Sequence, residues 1–267
     1  MKIRLLVALL FGVGLISNSS HAANEASDVS TNAAYSDGWQ AGDNGGTGFG
    51  AWTQSGSTNG SNGGYFVGSS AGNGDGDGNA DGDINVGGSA LGIYANGGQS
   101  VSAVRPMTGG SLSVGQTFVI AFDNGWLDTG SSDGFTLESS AGTDRLSFFF
   151  TGGNATYELF DNSGFVNTGI GFSDEGLTVA VTMTGAETYS AVITSIGSGV
   201  STNISGTFQN SGNGIDQVLV NNNNAGSGGN FDMFVNSMAV IPEPSTMALT
   251  SLGMLGLGVL RRRRLAK

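Results

Sequence analysis

The 267-residue chain predicts an all-β protein, an antiparallel β-sandwich of jelly-roll type, flanked by a short apolar segment at each end. Three observations carry this prediction. Runs of five to nine residues rich in β-branched and aromatic side chains recur between Gly, Asn, Asp and Ser clusters from Tyr65 onward, the pattern of many short strands joined by tight turns. Several runs alternate apolar and polar residues with a period of two. No stretch between the two ends shows a helical period.

In chain order, Lys2 and Arg4 form a basic n-region, Leu5 to Ile16 an apolar h-region, and Ser20-His21-Ala22 a small-residue cleavage site. Residues 1–22 therefore read as a secretory signal peptide; a retained N-terminal anchor is the alternative. Residues 23–240 form the sandwich ectodomain. Its lead-in, 23–64, is mostly polar and irregular, with Trp39, Phe49 and Trp52 expected to pack onto the sandwich. The strand runs are Tyr65–Gly68, Ala90–Ala95, Ser100–Met107, Gln116–Phe122, Gly134–Glu138, Arg145–Thr151, Thr156–Phe160, Leu177–Thr184, Thr188–Ile196, Asn203–Gln209, Gln217–Asn221 and Phe231–Ile241. The clearest alternation sets Leu177, Val179, Val181 and Met183 against Thr178, Ala180, Thr182 and Thr184, with Gly185-Ala186-Glu187 turning the chain into the next run. Phe118, Ile120 and Phe122 give a second inward face, and Asn124-Gly125 directly after it is a hairpin signal.

The tail has three parts: Ile241-Pro242-Glu243-Pro244, an apolar run over 245–260, and a basic end over 261–267 that opens with Arg261, Arg262, Arg263 and Arg264. The two prolines hold the first part extended, as an exposed linear epitope. As a helix the apolar run would measure about 24 Å at roughly 1.5 Å per residue, short against a hydrocarbon core of about 30 Å. The arginines mark the cytoplasmic end of a transmembrane helix, which leaves everything before Pro242 outside the cytoplasm.

Composition removes several function classes. The only histidine, His21, lies in the signal peptide, and there is no cysteine. The mature chain then holds no imidazole and no thiol, which excludes a Ser-His-Asp triad, a Cys-His dyad and ordinary zinc sites. Once both ends are removed, Arg105 and Arg145 are the remaining basic residues against 21 acidic ones, Glu243 included, a net charge of −19 against −12 for the whole chain. Such a chain repels nucleic acid and anionic membrane surfaces and attracts divalent cations. The two arginines are expected to satisfy buried carboxylates or carbonyls.

Asp75, Asp77, Asn79, Asp81 and Asp83 alternate with small residues, and from Asp77 the spacing follows the first nine positions of a calcium loop. Alternating oxygen ligands on a tight turn can converge on Ca²⁺. The twelfth position is Gly88 in place of a bidentate Glu, so this is no EF-hand. A weak extracellular Ca²⁺ site and a solvated acidic loop are the two readings. Trp39, Trp52, Trp126, Tyr65 and Tyr94 could stack on sugar rings or pack in the core and rim; Trp126, after the hairpin signal, is the foremost sugar candidate. No acidic run singles out the carboxylate pair that a glycosidase needs, and no catalytic residue is assigned.

Pro242-Glu243-Pro244, the apolar run and the terminal arginines together resemble the PEP-CTERM sorting signal. That resemblance covers about residues 240–267 and departs from the commonest form by Ile241 in place of Val. It implies recognition and cutting by an exosortase, a membrane-embedded transpeptidase of exopolysaccharide-making Gram-negative bacteria, and only transient residence in the inner membrane. Leu91–Asn96, Val104-Arg105-Pro106, Phe122–Trp126, Thr168–Phe172 and Asn230–Val240 are similar in pattern to concanavalin-like (laminin-G-like) jelly-roll domains. The fold hosts lectins, glucanases and structural modules, so it does not fix function. The expectation is a non-enzymatic surface or matrix protein associated with exopolysaccharide or biofilm, possible ligands being carbohydrate and Ca²⁺. The alternatives are a secreted polysaccharide-active hydrolase and a membrane-anchored adhesin with an uncut tail.

Overall fold

The alternation over 177–184 builds the middle of one sheet. The structure, a computed structural model, describes residues 25–56, 62–71 and 83–242. Leu177, Val179, Val181 and Met183 are buried there, while Thr178, Ala180 and Thr182 are half-buried, as a strand with one core face requires.

Among the described residues the strands are β1 (Ala26–Asp28), β2 (Thr53–Gly56), β3 (Gly63–Gly68), β4 (Ala90–Ala95), β5 (Ser100–Pro106), β6 (Thr117–Asn124), β7 (Ser132–Glu138), β8 (Asp144–Thr151), β9 (Thr156–Asp161), β10 (Gly164–Gly171), β11 (Leu177–Met183), β12 (Thr188–Ser195), β13 (Ser201–Thr207), β14 (Gln217–Asn223) and β15 (Met233–Ile241). They form two antiparallel sheets. One runs β13-β12-β11-β6-β15-β4-β3, with β1 also paired to β15; the other runs β10-β9-β8-β7-β14-β5-β2. Every predicted run coincides with a strand, within a few residues at its ends.

The core lies between the sheets. Phe118, Ile120 and Phe122 of β6 are fully buried against Phe135 of β7 and Phe148 of β8. The Phe122 and Phe148 ring centroids are 5.7 Å apart and nearly perpendicular, and Phe148 stacks on Tyr157 at 5.5 Å. Each such side chain contributes about 1.5–3 kcal/mol through burial, and favourable ring geometry adds to that.

Three expectations need correction. Asn124-Gly125 does not turn a hairpin: β6 belongs to one sheet and β7 to the other. The chain instead crosses the end of the sandwich, and its backbone N–H groups at Gly125 and Trp126 donate to the carbonyls of Asp232 and Asn230 at 2.8 and 2.7 Å. The lead-in is less irregular than expected, because β1 pairs with β15 and β2 with β5. Its aromatics do pack as expected, with Trp39, Phe49 and Trp52 all buried. The third is β10, where the sequence predicts no strand and the structure has one. Its sequence, GFVNTGIG, is rich in turn-forming residues, and it survives as an edge strand with a register shift between Asn167 and Gly171.

β15 carries a bulge. Its first half pairs with β4 and its second with β1, and Ser237 takes a positive φ of 49° between them. The Asn236 side chain holds this junction. Its Oδ1 accepts from Ser30 N–H at 3.0 Å, and its Nδ2 donates to the carbonyls of Ile84 and Ser89 at 3.0 and 2.9 Å. β15 ends at Ile241, paired with Thr117, so the last described residue, Pro242, follows a hydrogen-bonded strand directly. No helix among the described residues is long and apolar enough to cross a membrane. The signal peptide, most of the tail and the apolar helix expected over 245–260 lie outside the described residues.

Candidate functional site

A groove opens on the outer face of the β3–β4 edge, where two glycines make room for rings. Phe66 of β3 lies against Gly92 of β4, and Tyr94 of β4 lies against Gly64 of β3, so closely that a methyl on either glycine would collide with the ring. Strand alternation places Phe66 and Gly92 side by side on one face. Phe66 and Tyr94 have centroids 6.2 Å apart, and Phe66 meets Phe234 edge-on at 5.4 Å. Phe66 and Tyr94 line a depression of about 520 Å³ together with Asn96, Asp232 and the Gly226–Gly229 loop, within the size range of small-ligand sites.

Backbone hydrogen bonds fix the groove's far wall. Gly226 N–H donates to the Ala95 carbonyl, and Asp128 N–H to the Ala225 carbonyl at 2.7 Å. Gly98 N–H donates to Asn224 Oδ1 at 2.6 Å. The wall is thus tied to the β4–β5 turn on one side and to the crossover carrying Trp126 on the other. Burial pushes the Asp232 carboxyl up to about 7, so near neutral pH it is available both to donate and to accept a hydrogen bond. Deeper in, Asp133 is fully buried and its carboxyl is raised well above the usual range, first by burial and then by Asp232, against a backbone hydrogen bond from Asn223. Tyr157 donates to Asn124 Oδ1 at 2.7 Å and packs this layer from the core side.

Of the aromatic residues that could stack on sugars or pack in the core, Trp39 and Trp52 pack, as expected of the lead-in. They are buried, edge-on to each other at 4.9 Å, and Trp52 Nε1 donates to Tyr35 at 2.9 Å. The apolar gain of burying an indole outweighs exposure once a sheet covers it. Tyr65 lines the groove but points its hydroxyl to the backbone of Ser55 and Ser102, and burial pushes that hydroxyl up to about 12. Tyr94 lies on the groove, and Trp126 is 54% exposed on the adjoining crossover. Phe66, Asn96 and Asp232 were not singled out in the sequence. Phe66 reads there as an ordinary strand residue, and the other two reach the groove only through long-range pairing.

Both arginines are structural. Arg105 pairs with Asp28 at 3.0 Å and donates to the Gly45 carbonyl at 2.7 Å, with Trp52's ring at 5.1 Å. Arg145 donates to the carbonyls of Gln209 and Asn210 and pairs with Glu187 at 2.5 Å. This hydrogen bond lowers the Glu187 carboxyl below its ordinary value. Of the sequence-predicted calcium loop, Asp83 is described and half-buried, while Asp75, Asp77, Asn79 and Asp81 lie outside the described residues, as do Glu243, Pro244 and Arg261–Arg264 of the tail.

Residues 240–264 match the family model of the PEP-CTERM protein-sorting motif. The chain carries that motif, which implies export and sorting; the match covers the tail alone. In structure, the described sandwich is similar to the carbohydrate esterase vb_24B_21 from Shiga toxin-encoding bacteriophage phi24B, with TM-score 0.46, 17% identity, and coverage of 71% of this chain and 88% of that one. It is also similar to a legume lectin-like domain from Entamoeba histolytica (TM-score 0.40, 13% identity, 67% and 89% coverage) and to the galectin LEC-6 of Caenorhabditis elegans (TM-score 0.33, 14% identity, 52% and 89% coverage). These likenesses assign no ligand to this chain. None of the curated proteins matches it in sequence.

Proposed function

We propose that this protein is a non-enzymatic glycan-binding module of the cell surface or extracellular matrix. It is exported through its N-terminal signal, sorted by an exosortase-type transpeptidase acting on its PEP-CTERM tail, and associated with exopolysaccharide or biofilm. The observation that carries the binding assignment is the groove. Aromatic faces at Phe66 and Tyr94 sit beside the polar groups of Asn96 and Asp232, with Trp126 exposed on the next ridge. Sugars present apolar C–H faces and polar hydroxyl rims, and this combination of side chains suits both. Asp232 is the one carboxylate lining the groove among the described residues. Glycoside hydrolysis ordinarily takes two flanking carboxylates, so the geometry favours binding over cleavage.

The test is retention of the mature protein, recovered from its native surface, on a gel containing the exopolysaccharide of the same cells. Tyr94→Ala and Trp126→Ala should each weaken retention by roughly tenfold, since an aromatic contact contributes on the order of 1–1.5 kcal/mol. Phe165→Ala, on the exposed edge of the other sheet, should leave it unchanged. Equal retention of all variants would remove the groove from the reading, and release of reducing ends from the polysaccharide would favour the hydrolase. Intact mass addresses the tail: a chain ending near Pro242–Ser245 supports processing, and one extending through Lys267 supports an anchored adhesin.

A further inference from the structure

Asp123 stands outside the groove and has no explained counter-charge. It follows Phe122 on β6 but faces the outer side of the sheet, where the Ile84 loop covers it, and it is fully buried. Neither carboxylate oxygen has a hydrogen-bond partner. The cations among the described residues, Arg105 and Arg145, are held by Asp28 and Glu187. A proton would not settle this group either, because a buried carboxylic O–H also needs an acceptor.

Two more carboxylates converge on the same place. A methyl on Gly176 would stand 2.7 Å from Ile84 Cγ2, 3.1 Å from Asp123 Cβ and 3.1 Å from the Phe122 carbonyl oxygen. The loop holding Asp83, the end of β6 and the loop holding Asp174 therefore meet at one point. The electrostatics agree: Asp123 is raised well above the usual carboxylate range by burial first, then by Asp83 and Asp174. No three acidic side chains among the described residues form a closed metal cluster as they stand. Ca²⁺, however, takes six to eight oxygens, backbone carbonyls and waters included, and Asp83 and Asp174 are half-buried on loops, where a rotamer change turns a carboxylate inward.

We propose that Asp123, flanked by Asp83 and Asp174, is the buried ligand of a Ca²⁺ site that pins the 83–89 loop to the outer face of the β6 sheet. This assignment does not depend on the glycan groove and requires none of residues 73–82.

The test is thermal unfolding of the protein recovered from its native surface, in EDTA and then with CaCl₂ alone. With a dissociation constant on the order of 10⁻⁴–10⁻³ M, about 10 mM Ca²⁺ should raise Tm by roughly 4–8 °C. Asp123→Asn should lose this shift, Asp174→Asn should reduce it, and the exposed Asp37→Asn should keep it. If the Asp123 variant does not fold, Asp174→Asn decides. The proposal is overturned by a wild type that does not respond to Ca²⁺, or by a full shift in both the Asp123 and Asp174 variants. It is equally overturned if a combined Asp75→Asn, Asp77→Asn, Asp81→Asn variant loses the shift while Asp123→Asn retains it, which would place the ion in the loop alone.

Discussion

Arg105 shows how one side chain can organise a lead-in that has little apolar sequence of its own. Its guanidinium gathers Asp28 of β1, the Tyr35 hydroxyl at 2.9 Å and the Gly45 carbonyl, with the rings of Phe49 and Trp52 at 5.6 and 5.1 Å. Tyr35 in turn donates to Asp28, and burial, more than that hydrogen bond, pushes the Tyr35 hydroxyl far up. Removing one partner of a buried pair leaves an uncompensated charge, which costs about 3–5 kcal/mol. Arg105→Ala should therefore lower the unfolding free energy by that amount, read as a lower urea midpoint with little change in m, and lead-in amides should exchange faster. A loss below about 1 kcal/mol would mean that Asp28 finds water or a proton instead.

β15 joins the sheet's two halves, and its bulge is the point where they could come apart. Asn236 ties Ser30, Ile84 and Ser89 together through one amide. Asn236→Ala leaves a buried N–H and two carbonyls without that partner, a loss of about 2–4 kcal/mol at 1–3 kcal/mol per buried group with partial rescue by water. Hydrogen exchange should report it locally, with Ser30 and residues 84–89 losing protection while β11 and β12 keep theirs. Uniform loss of protection would mean that the bulge and the core unfold as one unit. The same strand runs to Ile241, so the sorting motif begins where the sheet's hydrogen bonding ends.

Buried acids set the pH response of the whole molecule. Asp133 and Asp232 are raised by burial, and so is Glu138, where burial outweighs the hydrogen bond from Gln217. A carboxyl raised in the folded state binds its proton more tightly there than in the unfolded chain, so stability falls as pH rises. For Asp232 the window runs from about 4, the unfolded value, to the folded value of about 7. Tm measured in EDTA should therefore decline between about pH 4 and pH 7. Asp232→Asn should flatten part of that slope. A Tm that rises across this window would show that hydrated partners, not burial, govern these carboxyls. General relief of self-repulsion at low pH acts in the same direction, which is why the variant comparison is needed.

Local chemistry wrote much of this fold into the sequence. Period-two alternation placed β6 and β11 with their inward faces correct, and the extended Pro-Glu-Pro followed by an apolar run and arginines read as a sorting tail without any structure. Composition alone removed thiol chemistry and left His21 as the one histidine of the chain. Partner choice was not legible, because it is non-local. Asn124-Gly125 is a strong hairpin dipeptide, yet the N–H groups of Gly125 and Trp126 pair with residues more than a hundred positions away. β10 lacked a strand signal because an edge strand needs only one neighbour and one buried face. The tryptophans followed the same rule: Trp39 and Trp52 were drawn inside by a sheet formed later in the chain, while Trp126 stayed out. The groove joins Phe66 and Tyr94 to Asp232, and the proposed ion site joins Asp83 to Asp123 and Asp174. Each grouping exists only because antiparallel pairing brings distant segments to one point.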